Sequence, residues 1–390
     1  MYKKIALIIV PMLLIGAFFY FSPILEPFPK PTEIYSIGTT QLYFVDQHRL
    51  DAFTPKKQER IVKVRFWYPA LAHVGKKYQY LGDAMPIFQQ SFADHYKIPL
   101  WLSKLLWRNV TTHAFVDAPI ASVKEKYPVI LFSHGLLGPS SEMYVSIIEN
   151  LASHGYLVAA IDHPYLNWLT QLPDGTIASS IPLSAQFEKM SPHEQRAFQS
   201  KAIEIYKADF KLVIDELTKI NQNAQNIFYQ HLDLNMIGIM GHSAGGTAAI
   251  EFCRIDDRCK AVIDLDGWYD HVIEHEPVNK PLLLVFGAKS VEISEPTPEY
   301  LKRKQITREA YFQREEKITN HRNELCKAPD CFMEIIPDAT HGDFGDLLKW
   351  PFRQWNAVAA NQLFETINGS IVRFFNKCTN QNSIDSVWAN

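Results

Sequence analysis

Gly241-His242-Ser243-Ala244-Gly245-Gly246 sets one serine among small residues. The apolar run Met236 to Met240, of strand length, precedes it, and Thr247 to Phe252, which reads as a helix, follows. Strand, Gly-x-Ser-x-Gly and helix together form the context of a nucleophile elbow, in which a sharp turn exposes the serine hydroxyl. Ser243 is therefore the candidate nucleophile. A serine hydroxyl is weak at neutral pH and needs a base. The chain has 14 histidines, and position singles out His341, which lies late in the chain in a turn between Thr340 and Gly342. An acid must hold that imidazole in one tautomer. Asp264 and Asp266 sit two apart on a strand and share a face. Asp266, at the strand end beside Gly267, is the choice; Asp264 is read as its structural partner and Glu292, after the following strand, as the fallback. Two backbone amides must meet the developing negative charge, and the elbow supplies that of Ala244, the residue after the nucleophile. The loop His134-Gly135-Leu136 supplies the second, assigned to Leu136, with Gly135 allowing close backbone approach.

These groups need a frame that brings strand ends together. Tyr127 to Ser133 and Tyr156 to Ile161 are continuous apolar runs flanking a helical stretch, Tyr144 to His154. That is a βαβ unit, which implies parallel strands and a right-handed connection. Strands are also expected at 260–266, 281–286 and 331–336, and a closing helix at 361–375. The expectation is an α/β fold with a mostly parallel sheet and helices on both faces, its ligand at the carboxyl ends of the strands. Those ends present Leu136, Ser243, Asp266 and His341 in chain order, and Ser–Asp–His is the order of α/β-hydrolases. Residues 41–45 and 60–68 read as two hairpin-like strands forming an antiparallel edge. Residues 71–126 read as an excursion, with an amphipathic stretch from Ile98 to Trp107 that either packs on the core or lies at a membrane surface or substrate mouth. Residues 165–230 read as a strandless insertion near the site, with a long helix from Phe198 to Asn221.

At 47% hydrophobic and 21% charged over 390 residues, the chain can bury a large core. Its net charge of −3 and lack of a basic stripe argue against nucleic acid as a partner. Residues 1–32 differ from the rest: Lys3-Lys4, an apolar stretch from Ile5 to Ser22, then Pro23, Pro27, Pro29 and Pro31. This is a signal peptide or an uncleaved signal anchor followed by a stiff spacer, with the globular part on the outer side of the membrane. One hydrolase domain is expected over 33–378, with 379–390 as a tail. In an oxidising compartment Cys253 with Cys259, and Cys326 with Cys331, could each close a small loop; neither pair has metal-site spacing, and no metal or cofactor is expected.

Phe132-Ser133-His134-Gly135-Leu136, Gly241 to Gly246, Leu265-Asp266-Gly267-Trp268, and Thr340-His341 with Phe344 shortly after together resemble the plasma-type (group VII) platelet-activating-factor acetylhydrolases and their bacterial relatives. Gly38-Thr39-Thr40, Phe66-Trp67-Tyr68-Pro69, Asp117-Ala118-Pro119 and the Cys253/Cys259 pair add looser matches, so the resemblance spans roughly 33–375. It implies a triad of Ser243, Asp266 and His341, oxyanion donors Leu136 and Ala244, and calcium-independent hydrolysis of short or oxidised sn-2 acyl chains on phospholipids. Many bacterial relatives are esterases on short-chain esters. A polyester- or cutin-type hydrolase and a non-catalytic binding scaffold remain alternatives. The pattern departs at residue 244, where the animal enzymes carry phenylalanine; alanine there is expected to change what fits beside Ser243.

Overall fold

A computed structural model describes residues 28–379 apart from 34, 55–56, 72–73, 109, 123, 268–277 and 347–356. The N-terminal apolar run, Trp268 and the tail from 380 lie outside the described residues. Among the described residues no helix is long and apolar enough to cross a membrane.

The chain enters through β1 (Ser36–Leu50), which pairs antiparallel with β2 (Glu59–Ala70). Side chains alternate along β2: Val62, Val64, Phe66 and Tyr68 join one hydrophobic cluster, and Trp67 joins the other. These two strands are not the antiparallel edge expected of a hairpin at the start of the chain. The segment after them adds β3 (Lys77–Gln79) and β4 (Thr111–Val116) outside β1. The alternating charges of β2 are buried instead: Lys63 and Arg65 pair with Glu142, and Lys63 also with Asp162. Between β3 and β4 lie α1 (Met85–Tyr96) and α2 (Leu100–Leu106). The amphipathic stretch divides its tryptophans. Trp107 packs against Phe88 and Phe92, with centroids at 4.8 and 5.5 Å, while Trp101 is 66% exposed.

The βαβ unit follows as β5 (Tyr127–Ser133), α3 (Val145–Ser153) and β6 (Leu157–Asp162), with β5 and β6 parallel. Then comes a small hairpin, β7 (Thr170–Gln171) with β8 (Ile177–Ala178), and α4 (Ile181–Phe187). The next helix, α5 (Pro192–Gln222), starts earlier than its apolar spacing suggests because Ser191 and Glu194 form a capping box. Ala202, Tyr206, Phe210, Val213 and Leu217 bury its inner stripe in the core.

The remaining elements are β9 (Leu232–His242), α6 (Ala244–Ile255), β10 (Cys259–Leu265), β11 (Leu282–Gly287), α7 (Ala288–Val291), α8 (Pro298–Lys304), α9 (Arg308–Leu325), β12 (Cys331–Ile336) and α10 (Ala357–Thr379). Disulfides join Cys253 to Cys259, from the end of α6 to the start of β10, and Cys326 to Cys331, from α9 to β12.

Among the described residues ten strands form one sheet in the order β12-β11-β10-β9-β5-β6-β2-β1-β4-β3. From β12 to β6 neighbours run parallel. Helices α5 and α6 pack together on one face, α3 and α10 on the other. The chain leaves β5 toward β6 and returns to place β9 on the other side of β5. Winding reverses there, and a crevice opens at such a point beyond the strand ends. The loops after β5 and β9 are the ones carrying Leu136 and Ser243.

Candidate active site

Ser243 takes φ 57° and ψ −125°, a conformation that side chains other than glycine rarely adopt. The backbone around it holds the turn: Ser243 N–H donates to Leu265 O at 2.8 Å, and the amides of Gly246 and Thr247 donate to Ser243 O at 3.0 and 3.1 Å. Space dictates the flanking glycines. A Cβ on Gly241 would lie 2.2 Å from the carbonyl carbon of Gly245, and one on Gly245 would lie 2.5 Å from Ser133 O. Both obstacles are main chain and cannot swing aside.

The structure brings three of the expected side chains into one hydrogen-bonded line. His341 Nε2 lies 3.0 Å from Ser243 Oγ, and His341 Nδ1 lies 2.5 Å from Asp266 Oδ2. Asp266 leaves β10 in a left-handed conformation, φ 57°, and its other oxygen accepts from Gly287 N–H at 3.0 Å. Burial alone would raise its pKa, but the His341 hydrogen bond and charge, the Gly287 amide and Ser290 outweigh burial and hold the carboxyl below its usual range. Asp264 stays inside the sheet, where burial and the neighbouring Asp266 charge push its pKa well up. Glu292 is exposed at the end of α7. His341 opens a short 3-10 turn, His341–Phe344, held by Asp343, whose Oδ2 accepts from Thr340 N–H and Oγ1–H at 2.7 Å each. Its side chain is 48% exposed, so solvent and a ligand can reach it.

His242, the variable residue before the serine, has a place that its motif position did not reveal. Burial first, and then the nearby His341, lower its pKa to about 3, so the ring is neutral. Its Nε2 lies 2.8 Å from His341 O, which can only accept, so Nε2 carries the proton. Nδ1 must then accept from Tyr144 O–H, also at 2.8 Å. This chain ties α3 to the backbone of His341.

The loop after β5 is braced from below. His163 N–H donates to His134 Nε2 at 3.0 Å, so His134 carries its proton on Nδ1 and donates to Gly135 O at 2.8 Å. In a trans peptide, C=O and the next N–H point in opposite directions. Holding Gly135 O toward His134 therefore turns Leu136 N–H the other way. Gly135 also comes close to the elbow, since a Cβ there would lie 3.2 Å from Ser243 Cβ. His163 is itself held by Asp209 Oδ2 at 2.8 Å and Ser133 Oγ at 2.9 Å, with Tyr206 stacked on its ring at 3.8 Å. Arg60 closes the network on Asp209 and Asp51 at 2.7 Å each. Sequence reading found Leu136 but not these supports, because they come from β2, β6 and α5. The second donor, Ala244 N–H, opens α6, where a first-turn amide has no partner within its helix. The methyl of Ala244 is fully buried in the cluster against which Leu136 packs. Residue 244 is thus read by core packing, not by open space beside the serine.

One buried acid beyond the triad gives a pH test. Asp346, just past the His341 turn, accepts from Val145 N–H at 2.8 Å, Ser146 N–H at 3.2 Å and Ser146 Oγ–H at 2.9 Å. Burial pushes its pKa up to about 6, from an ordinary 3.8. The native state then binds this proton more tightly than the unfolded state. The contribution to stability is fully present below pH 3.8 and is lost as pH rises through 6, by about 3 kcal/mol at most. In Asp346→Asn that fall should be missing. Urea midpoints for both proteins at pH 4.5 and 6.5 test it, and parallel pH dependences would count against it.

Among the described residues no three His, Cys, Asp or Glu side chains cluster to hold a metal ion. A serine hydroxyl hydrogen-bonded to an imidazole, a carboxylate on the far side of that imidazole, and backbone amides at the elbow and in the loop after β5 are the parts that nucleophilic acyl transfer requires.

The family described as platelet-activating factor acetylhydrolase, isoform II, matches residues 29–294. That range contains Leu136, Ser243, Ala244 and Asp266 and stops before His341. Platelet-activating factor acetylhydrolase of Cavia porcellus is 32% identical over 199 residues, covering 47% of this chain and 45% of that protein. The Canis lupus familiaris protein of the same name is 27% identical over 271 residues, covering 62% and 55%. The chain thus spans about half the length of these curated relatives. Among solved structures, a ferulic acid esterase from Streptomyces cinnamoneus superposes with a TM-score of 0.65, covering 90% of this chain and 92% of that one at 23% identity. That likeness shows the α/β-hydrolase-type fold.

Proposed function

Because the chain belongs to the platelet-activating factor acetylhydrolase isoform II family, we propose that it is a serine ester hydrolase working through an acyl-enzyme on Ser243. The observation that carries the reading is the unbroken line Ser243–His341–Asp266, at 3.0 and 2.5 Å. Ser243 Oγ attacks the ester carbonyl carbon as His341 Nε2 takes its proton. The carbonyl oxygen becomes an oxyanion facing the amides of Leu136 and Ala244. Asp266 holds Nδ1–H and balances the imidazolium charge. The tetrahedral intermediate collapses, His341 returns the proton to the departing alcohol, and water repeats the sequence to release the acid.

The preferred substrates are short-acyl esters, with sn-2 short or oxidised acyl chains of phospholipids as the chosen class. Family membership supports this class. Exposed Trp101 and Tyr96 support contact with a lipid surface. The two disulfides and the N-terminal run after Lys3-Lys4 support an exported protein, cleaved or anchored. A plain carboxylesterase is the second reading, favoured by the 48% exposure of His341, which leaves the site open to small soluble esters. A chain-length series separates the two: p-nitrophenyl acetate to decanoate against phosphatidylcholines with short and long sn-2 chains. A steep preference for short sn-2 chains is expected. Cleavage of soluble esters alone would reject the phospholipid class.

A further inference from the structure

Beside Asp266 and His341 opens a cavity of about 510 Å³, lined among others by Phe286, Lys289, Arg314, Glu315 and Arg322. Three of these side chains are cationic and one is anionic. Asp266, at the same wall, is already engaged by His341. Arg322 stands out. It comes from α9, is nine-tenths buried, and lies with Cζ 5.2 Å from the centroid of the Phe286 ring. Its guanidinium donates to Thr319 Oγ1 at 3.0 Å, and among the described residues no carboxylate lies within ion-pair distance of it. Arg60 shows how this fold otherwise treats a buried guanidinium: Asp51 and Asp209 both meet it at 2.7 Å. A guanidinium carries five donors in a fixed fork suited to carboxylate or phosphate oxygens. A buried cation without an anion is costly, and burial pushes the Arg322 pKa down, opposed only in part by Glu315 and Asp266. An anion entering the cavity would remove that cost. Lys289, exposed at the rim, would draw it in, with Arg314 beside it, although Arg314 also pairs with Glu315 at 3.3 Å.

We propose that this cavity is an anion subsite in which Arg322, with Lys289 and Arg314, binds a phosphate or carboxylate group carried by the ester whose carbonyl sits at Ser243. The inference rests on the ester-hydrolase reading above and refines its substrate. Two sources supply that chemistry: a phosphodiester on the alcohol side, or a terminal carboxylate on an oxidised acyl chain.

The test compares charged with neutral esters in the purified full chain. One arm pairs 1-alkyl-2-acetylglycerophosphocholine with its neutral 3-O-methyl analogue; the other pairs p-nitrophenyl hydrogen glutarate with p-nitrophenyl acetate. In Arg322→Gln the charged-over-neutral ratio of kcat/KM should fall about tenfold in the arm that matches the true source, and by less in Arg322→Lys. Ratios unchanged in both arms overturn the proposal. Calorimetric titration of inorganic phosphate reads the site without turnover: weaker binding in Arg322→Gln supports it, and equal or no binding in both proteins overturns it. If Arg322→Gln does not fold, the double variant Lys289→Gln, Arg314→Gln at the rim takes its place in both measurements. A protein that cleaves none of the esters yet loses phosphate binding with Arg322 would sink the hydrolase reading and keep the anion site. A hydrolase indifferent to charge would do the reverse.

Discussion

Replacing Ser243 with alanine should lower kcat on p-nitrophenyl acetate by about 10⁴- to 10⁶-fold. His341 Nε2 lies 3.0 Å from the Ser243 hydroxyl, and alanine leaves no hydroxyl there to deprotonate. The residual rate would come from the amides of Leu136 and Ala244 and from substrate positioning. The fold should survive: the elbow conformation is held by backbone hydrogen bonds to Leu265, Gly246 and Thr247, which alanine keeps. The variant should therefore melt close to the parent while failing to take up a fluorophosphonate probe. Full turnover in a folded Ser243→Ala protein would remove Ser243 from the reaction.

Asp266→Asn should cost about 10⁴-fold in kcat. The asparagine amide can donate where the carboxylate only accepts, which favours the tautomer with the proton on His341 Nε2. That nitrogen then cannot act as the base. The paired variant Asp264→Asn decides between the two aspartates. Asp264 is buried, lies outside the Ser243–His341–Asp266 line, and has its pKa pushed well up, so a neutral amide of nearly the same shape disturbs it little. Its kcat should stay within a few-fold of the parent. Equal losses from both substitutions would show that the fold around β10, and not the charge of Asp266, had been disturbed.

What the sequence made legible follows contact range. The elbow is local: Gly241, Ser243 and Gly245 constrain one another within a single turn, so the pattern carries its own geometry. The apolar runs of β5, β6, β10 and β11 and the second half of β9 declare strands buried on both faces, β12 closes the sheet as a half-exposed edge, and their order declares a parallel sheet. The outer sheet was hidden because β3 has three residues and β4 is a short run whose first half, Thr111 to His113, is polar. Burial of Lys63 and Arg65 was hidden for a related reason. Their partners Glu142 and Asp162 arrive from the βαβ unit, far along the chain, so nothing local shows that these charges are buried. Helix α5 looked like part of a lid because its stripe of Ala202, Tyr206, Phe210 and Leu217 is diluted by charges on the other face. His242 stood beside Ser243, yet its role emerges only once β9 and the turn after β12 lie side by side.

Ser133, His163 and Asp209 reproduce the hydrogen-bond chain of Ser243, His341 and Asp266, at 2.9 and 2.8 Å. All three are wholly buried, with Arg60 clamped on the acid. Ser133 ends a regular strand, with no elbow to lift its hydroxyl and no room for an acyl group. A search for serine–histidine–aspartate templates by interatomic distance would return both of these sets from the described residues, and of the two it is the set at Ser243 that has a way in. Distances among three side chains record how protons can be shared. Whether a bond to carbon can form depends on the space beside them, and here the fold supplies its own control for telling the two apart.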